Sequence, residues 1–321
     1  MAFVKEWTPK IGDKVKTTKK LEIFGGYLEK GSIVTIIGKS NRGYDIIDND
    51  GNELIECGWN FFCKPKEDEI VDEPFNAKTK IDIIVAEIKD WFDKNGSKAN
   101  AVIGISGGKD STVTAALLVK ALGKDRVYGV LMPNGKQADI EDSIKVVEYL
   151  GINHTVFNIK NIYKAFEDEM QFVFNKKSRE EGLPRDTAIN LPPRIRMSVL
   201  YAIAQSFPNG GRVINTCNKS EDFVGYSTKY GDGAGDMSVL GNLLVSEIIA
   251  IGDELGLPYE LVHKAPSDGL CGQTDEDRFG FTYNDIETYI KNGTCGNIEI
   301  DKKIKYMHDT SRHKYVEMYV C

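Results

Sequence analysis

Ser106-Gly107-Gly108-Lys109-Asp110-Ser111 is the segment richest in potential chemistry. Its two consecutive glycines leave bare backbone against which an anion can lie, and the Ser106 and Ser111 hydroxyls can donate hydrogen bonds to it. A helix that starts directly after such a loop turns its unpaired N–H groups toward the same anion. The segment therefore suits a polyphosphate. An acid at position 110 would repel phosphate unless a cation lay between them, and Mg²⁺ resolves the conflict because it favours one or two carboxylates together with phosphate oxygens and water. Lys109 reads either as a phosphate contact or as a solvated charge. The spacing is neither GxxxxGK[ST] nor GxGxxG, which disfavours a Walker NTPase and a Rossmann dehydrogenase.

The elements around this loop must hold it in place. The apolar run Asn100–Ile105 reads as a strand entering the loop, and Thr112–Leu122 as a helix leaving it. RVYGVLM, DIEDSIKVVEYL and HTVFNI continue the alternation of strand and helix after a leading helix at 81–94. Such alternation predicts an α/β fold, a parallel sheet covered by helices on both faces. Further helices are expected at Pro193–Ser206, Leu243–Leu255 and Asn284–Lys291, and a strand at Arg212–Thr216.

The amino-terminal stretch has a different character. Short β-prone runs (KVKTT, SIVTIIG, GYDIID, ELIECGWNFF) are separated by Gly, Asn and Asp in turn contexts, which suggests a small all-β barrel of the SH3-like kind. The acid-rich, weakly apolar stretch Lys64–Glu73 reads as a linker, giving a β module over 1–70 and a second domain over 71–321. Trp7, Trp59, Phe61 and Phe62 read as barrel core rather than as a ligand surface.

Bulk properties narrow the function classes. A net charge of -7 over 321 residues argues against a broad nucleic-acid surface, which needs clustered Lys and Arg. The 6 cysteines show no CxxC spacing and read as reduced thiols. The start MAFVKEWTPK lacks the apolar core of a signal peptide, and no apolar run reaches the roughly 18 residues of a membrane span, so a cytoplasmic protein without membrane or nucleic-acid partners is expected.

Two further segments identify the loop more closely. NLPPRIRM at 190–197 and NTCNKSEDFVGYSTKYGDGAGD at 215–236, taken with SGGKDS, resemble the ammonia-dependent NAD synthetases. These belong to the N-type ATP pyrophosphatases, or PP-loop superfamily, of adenine nucleotide alpha hydrolase-like fold. The resemblance implies ATP cleavage between the α- and β-phosphates, with AMP placed on deamido-NAD and ammonia as the nitrogen donor. It places the ATP phosphates on Gly104, Ile105, Ser106, Gly107, Gly108, Lys109, Asp110 and Ser111, with Thr216 and Ser267 as further ATP contacts. Asp110 and Glu221 become Mg²⁺ ligands, although Glu221 also reads as an ordinary first-turn acid. Arg194, Lys229, Asp236, His313 and Lys314 match positions that hold deamido-NAD. Asp232, in YGDG, is a base for ammonium, and Lys109 and Ser106 join it as catalytic groups. The resemblance also implies a homodimer.

One position departs from the family pattern. Val245 falls where many relatives carry an ATP-contacting Lys, and valine cannot neutralise phosphate charge. Either another cation, Lys109 or Lys219, takes over, or this chain binds ATP less tightly. Closure over a water-sensitive intermediate is expected of Tyr230–Gly241 and of Phe174–Ile189. Two rival readings stay open at this point: another PP-loop enzyme, and a non-catalytic ATP or dinucleotide binder.

Overall fold

The computed structural model describes residues 11–12, 14–17, 21–23, 26–28, 33–39, 44–47, 53–57, 62–63, 74–136, 140–173, 183–264 and 275–316, with no side chains described at 171–173, 275 and in much of the amino-terminal part. Contacts divide the chain into two units, Met1–Asp93 and Lys94–Cys321.

In the amino-terminal unit the β-prone runs form β1 (Lys14–Thr17), β2 (Leu21–Ile23), β3 (Gly26–Leu28), β4 (Ile33–Lys39), β5 (Tyr44–Ile47), β6 (Glu53–Cys57) and β7 (Phe62–Cys63). Five of them make an antiparallel sheet in the order β6-β5-β4-β1-β7, and β2 and β3 make a hairpin. Period-two alternation buries Val15 and Thr17 in β1 and Val34 and Ile36 in β4. Helix α1 (Ala77–Gly96) follows, with Ile81, Ile84, Val85, Ile88 and Phe92 buried at helical spacing. Gly12, at φ 89°, lies against Ile83 of this helix, so most of α1 belongs with the strands in one unit.

The second unit begins with β8 (Asn100–Gly104), α2 (Lys109–Leu122), β9 (Val127–Leu131), α3 (Ile140–Leu150) and β10 (Asn153–Val156). Next come α4 (Lys160–Val173), α5 (Arg185–Ser206), β11 (Gly211–Asn215), α6 (Lys219–Val224) and the two-residue β12 (Met237–Ser238). Helices α7 (Val245–Glu254), α8 (Tyr259–Val262), α9 (Asp275–Phe279), α10 (Tyr283–Asn292) and α11 (Ile298–Ser311) complete it. The strands form a parallel sheet in the order β10-β9-β8-β11-β12. As expected for a strand covered on both faces, Ala101, Val102 and Ile103 of β8 are all buried. Helix α5 covers one face, packing Ile195, Val199 and Leu200 on Val102, Val130 and Val213. Helix α2 lies against β8 and β9. Its Leu117 and Leu118 are fully buried, each contributing about 2 kcal/mol.

Two features of this unit differ from expectation. Helix α5 starts at Arg185, eight residues before Pro193, and runs through Pro192 and Pro193. A proline pair usually marks a helix start because proline donates no N–H, but here tertiary packing, with Pro192 itself buried, keeps the helix continuous. β12 pairs through only two residues, too few for any periodicity. Among the described residues no helix is long and apolar enough to cross a membrane.

The strand order decides where the chemistry can occur. From β8 the chain moves outward through β9 to β10, then returns through α4 and α5 to place β11 on the other side of β8. The connections leaving β8 and β11 diverge, opening a crevice at the carboxyl ends of these strands. SGGKDS follows β8, and the NKSE segment follows β11.

Candidate active site

A cleft of about 520 Å³ opens at that divergence. Gly104, Ile105, Ser106, Gly108, Lys109, Asp110 and Ser111 line it from the β8 side, and Thr216, Cys217, Glu221 and Asp232 from the β11 side. Most of the residues expected to hold ATP and a cation are thus brought together. Ser267 and residues 174–182 lie outside the described residues.

The loop is held by its own hydroxyls. Ser111 Oγ donates to Gly108 O at 3.1 Å and accepts from the Ser106 N–H at 3.3 Å, while the Ser106 and Ser111 hydroxyls lie 3.1 Å apart. Gly107 adopts φ 79°, and a Cβ there would lie 2.8 Å from the Ser143 nitrogen and 2.9 Å from Asp142 Cβ. Only glycine meets both demands, the left-handed backbone and the close approach of α3. Lys109 is 4% exposed, with Nζ 3.1 Å from Asp110 Oδ2 and 5.4 Å from the Tyr283 ring centroid. A solvated charge is therefore the wrong description of Lys109.

Asn218 is the N-cap of α6. Its Oδ1 accepts from the Glu221 N–H at 2.9 Å, and its own N–H donates to Glu221 Oε2 at 3.3 Å, a capping box. Its Nδ2 donates to Asp110 Oδ1 at 3.1 Å. The Asp110 and Glu221 carboxylates, on separate elements, thus both accept from Asn218, the first from its side-chain amide and the second from its backbone N–H. The described residues contain no cluster of three or more His, Cys, Asp or Glu, so a cation at this pair would draw its other ligands from phosphate and water. That donor set fits Mg²⁺.

Asp232 is accessible from the cleft yet has protein on most sides. This surrounding low-dielectric matter pushes its carboxyl above the ordinary range, against the stabilising Thr228 N–H that donates to Oδ1 at 2.9 Å. Asn215 Nδ2 pins the segment by donating to Asp232 O at 2.7 Å and Ala234 O at 2.9 Å. Burial also raises the Cys217 thiol, and its Sγ donates to Asp232 O at 3.2 Å, so it is an inert packing group.

The residues expected to hold the dinucleotide are arranged differently. Lys314 lines the cleft, but its Nζ donates to Gly225 O at 2.7 Å and Ser227 O at 2.8 Å. Lys229 Nζ donates to His313 O at 2.6 Å, and Arg194 Nε to Lys229 O at 3.2 Å. Arg312 Nη2 donates to Asp222 O and Phe223 O, at 2.6 and 2.9 Å, beside the left-handed Gly225 that ends α6. The carboxy-terminal segment thereby caps α6, and Tyr315 Oη adds a 2.6 Å contact with Ser227 Oγ. Asp236 accepts from the Val213 N–H at 2.7 Å and from Tyr201 Oη at 3.1 Å, joining β11 to the glycine-rich segment. Burial, with the Asp236 charge second, pushes the Tyr201 hydroxyl up to about 12.

Some participants had no signal of their own in the sequence. Lys264 lines the cleft and donates to Asp142 Oδ2 at 2.7 Å; this bond and then Lys145 hold the Asp142 carboxyl below its usual range. Arg196 and Arg278 also line the cleft. Val245 is buried with Val224, Phe279, Phe281 and Tyr283, away from the cleft lining. Lys109 reaches over the same Tyr283.

Residues 80–319 match the family model described as NAD synthase. The chain belongs to the NAD synthase family. Within that family it is 41% identical, over 200 residues, to the NH(3)-dependent NAD(+) synthetase of Pyrococcus furiosus, covering 62% of this chain and 74% of that protein. The Finegoldia magna enzyme of the same name is 39% identical over 71% of this chain and 91% of its own length. Among solved structures, NMN synthetase from Francisella tularensis superposes with TM-score 0.69 at 33% identity, covering 77% of this chain and 99% of that one. The NH3-dependent NAD synthetase from Campylobacter jejuni gives 0.62 at 26% identity, covering 77% and 100%.

Proposed function

We propose that this NAD synthase family chain amidates deamido-NAD with ammonia at the expense of ATP. The supporting observation is that the SGGKDS cradle and the raised-pKa carboxyl of Asp232 line one cleft. A carboxylate is anionic and would have to expel oxide, so it is a poor acyl donor. Attack of the nicotinate carboxylate on the ATP α-phosphate forms a P–O bond and breaks the bond to pyrophosphate. Loop and first-turn amides, the Ser106 hydroxyl and Lys109 stabilise the departing pyrophosphate. Ammonium gives a proton to the Asp232 carboxylate, and the ammonia so formed attacks the acyl carbon. AMP leaves with its oxygen, and the amide is NAD. Mg²⁺, held by Asp110 and Glu221, would neutralise charge on the phosphates.

The same site supports a second acceptor. Its 33% identity with an NMN synthetase over nearly the whole of that protein favours amidation of the mononucleotide as well. Incubation with Mg-ATP, ammonium and either deamido compound separates the two readings: equal NAD and AMP from the dinucleotide supports the first. Product from neither, with ammonium or glutamine, defeats both.

The resemblance also supports a homodimer, checked by sedimentation of the full chain. The strand order β6-β5-β4-β1-β7, with a hairpin in the first long connection, supports an SH3-like module at the amino terminus.

A further inference from the structure

Starting a helix requires only half of the Asn218 side chain. The oxygen accepts from the Glu221 N–H, which any good N-cap achieves. The amide nitrogen crosses to a residue 108 positions earlier and donates to Asp110 Oδ1. Asn218 is 0% exposed, so neither bond competes with solvent. The Asn218 N–H also holds Glu221 Oε2, and Lys109 Nζ lies against the other oxygen of Asp110. Both carboxylates are therefore oriented by one buried residue.

We propose that Asn218 is the positioning residue of the cation site, setting Asp110 and Glu221 at the separation and angle a divalent ion requires. The proposal rests on these two carboxylates being the ligands. Groups that orient metal ligands typically carry about 10- to 100-fold in metal affinity. Serine makes a test because it separates the two roles. Its hydroxyl caps a helix as well as asparagine does, but one oxygen is too short to accept from Glu221 and reach Asp110 together.

The experiment uses the full chain with saturating ATP. Mn²⁺ binding is followed by electron paramagnetic resonance, Mg²⁺ activation by NAD formation, and folding by thermal unfolding, for wild type, Asn218→Ser, Asn218→Thr and Asp110→Asn. Asn218→Ser is expected to unfold at the wild-type temperature, bind Mn²⁺ about tenfold more weakly and need about tenfold more Mg²⁺. Asp110→Asn should weaken Mn²⁺ at least as much. Unchanged Mn²⁺ binding in Asn218→Ser, with weakened binding in Asp110→Asn, overturns the positioning role and leaves the ligand assignment standing. Unchanged binding in Asp110→Asn overturns the ligand assignment and the proposal with it. If Asn218→Ser and Asn218→Thr both lose stability and cation affinity in parallel, Asn218 is a helix cap only.

Discussion

The two walls of the cleft are built on opposite terms. Around SGGKDS and the start of α6, side chains brace one another and leave their functional atoms facing the cavity: Ser106 with Ser111, and Asp110 with Asn218. Toward the carboxy-terminal segment, Lys314 lines the cleft and Arg194, Lys229 and Arg312 lie outside its lining, and each of the four donates to backbone carbonyls. Donors fixed before the ligand arrives stabilise developing charge without reorganisation. Donors already engaged must exchange one partner for another, which consumes part of the binding energy. The SGGKDS side is thus preformed, whereas a ligand on the carboxy-terminal side would have to displace existing hydrogen bonds.

Substitutions on the two walls should therefore behave differently. The largest effect is expected at Gly107→Ala, where a Cβ has no room against α3 and the left-handed backbone is disfavoured. AMP formation should drop by about 10³-fold, measured as pyrophosphate release. Asp232→Asn comes next. It should slow NAD formation by about 10²-fold while the acyl-adenylate accumulates, detectable by rapid quench. In wild type the raised carboxyl must be ionised to accept a proton. Amide formation should therefore fall as pH drops through its pKa, whereas adenylation holds. Unchanged turnover of Asp232→Asn at limiting ammonium would remove the residue from the mechanism.

On the other wall, Lys314→Met should raise the KM for deamido-NAD about tenfold, the value of one charged hydrogen bond, with little change in kcat. A lower melting temperature with unaltered KM would reduce Lys314 to a cap for α6. The smallest effect concerns Asp222, whose Oδ1 is buried without a hydrogen-bond partner among the described residues. Burial, only partly offset by Tyr315 and Arg312, raises its carboxyl to about 6. A raised acid is comfortable while protonated and costs stability once it ionises, so its penalty appears as pH rises through 6. Asp222→Asn should gain about 3 °C in melting temperature at pH 8, less at pH 5, and nothing once the pH is below the ordinary carboxylate value of 3.8.

The contrast between the walls also explains what was legible from sequence. Strands β8, β9 and β11 stand out because a sheet buried on both faces needs continuous apolar runs, whereas the edge strand β10 is largely exposed, and the loop stands out because two glycines beside Ser and Asp have few other uses. The start of helix α5 is hidden from the sequence, since Pro192 and Pro193 act locally whereas burial on the sheet acts through tertiary contact. The double duty of Asn218 left no trace in sequence: an asparagine before KSE signals a cap, and only the fold brings Asp110 to its other side. Likewise Lys229 and Lys314 could be named as cations, but their carbonyl partners lie up to 89 residues away. Where a charged side chain spends its hydrogen bonds is decided by topology, not by neighbours in sequence.

The reversal of strand order between β8 and β11 has a consequence for how the molecule is assembled. β8, β9 and β10 are joined by short connections and can pair as soon as they leave the ribosome, whereas β11 closes on β8 only after α4 and α5, at the register Gly211 with Asn100. That closure carries the loop entropy of the whole intervening chain. The loop after β8 is thus made early and the β11 side of the cleft late, and a nascent chain stalled before Gly211 would hold half of the cleft with its sheet edge uncovered.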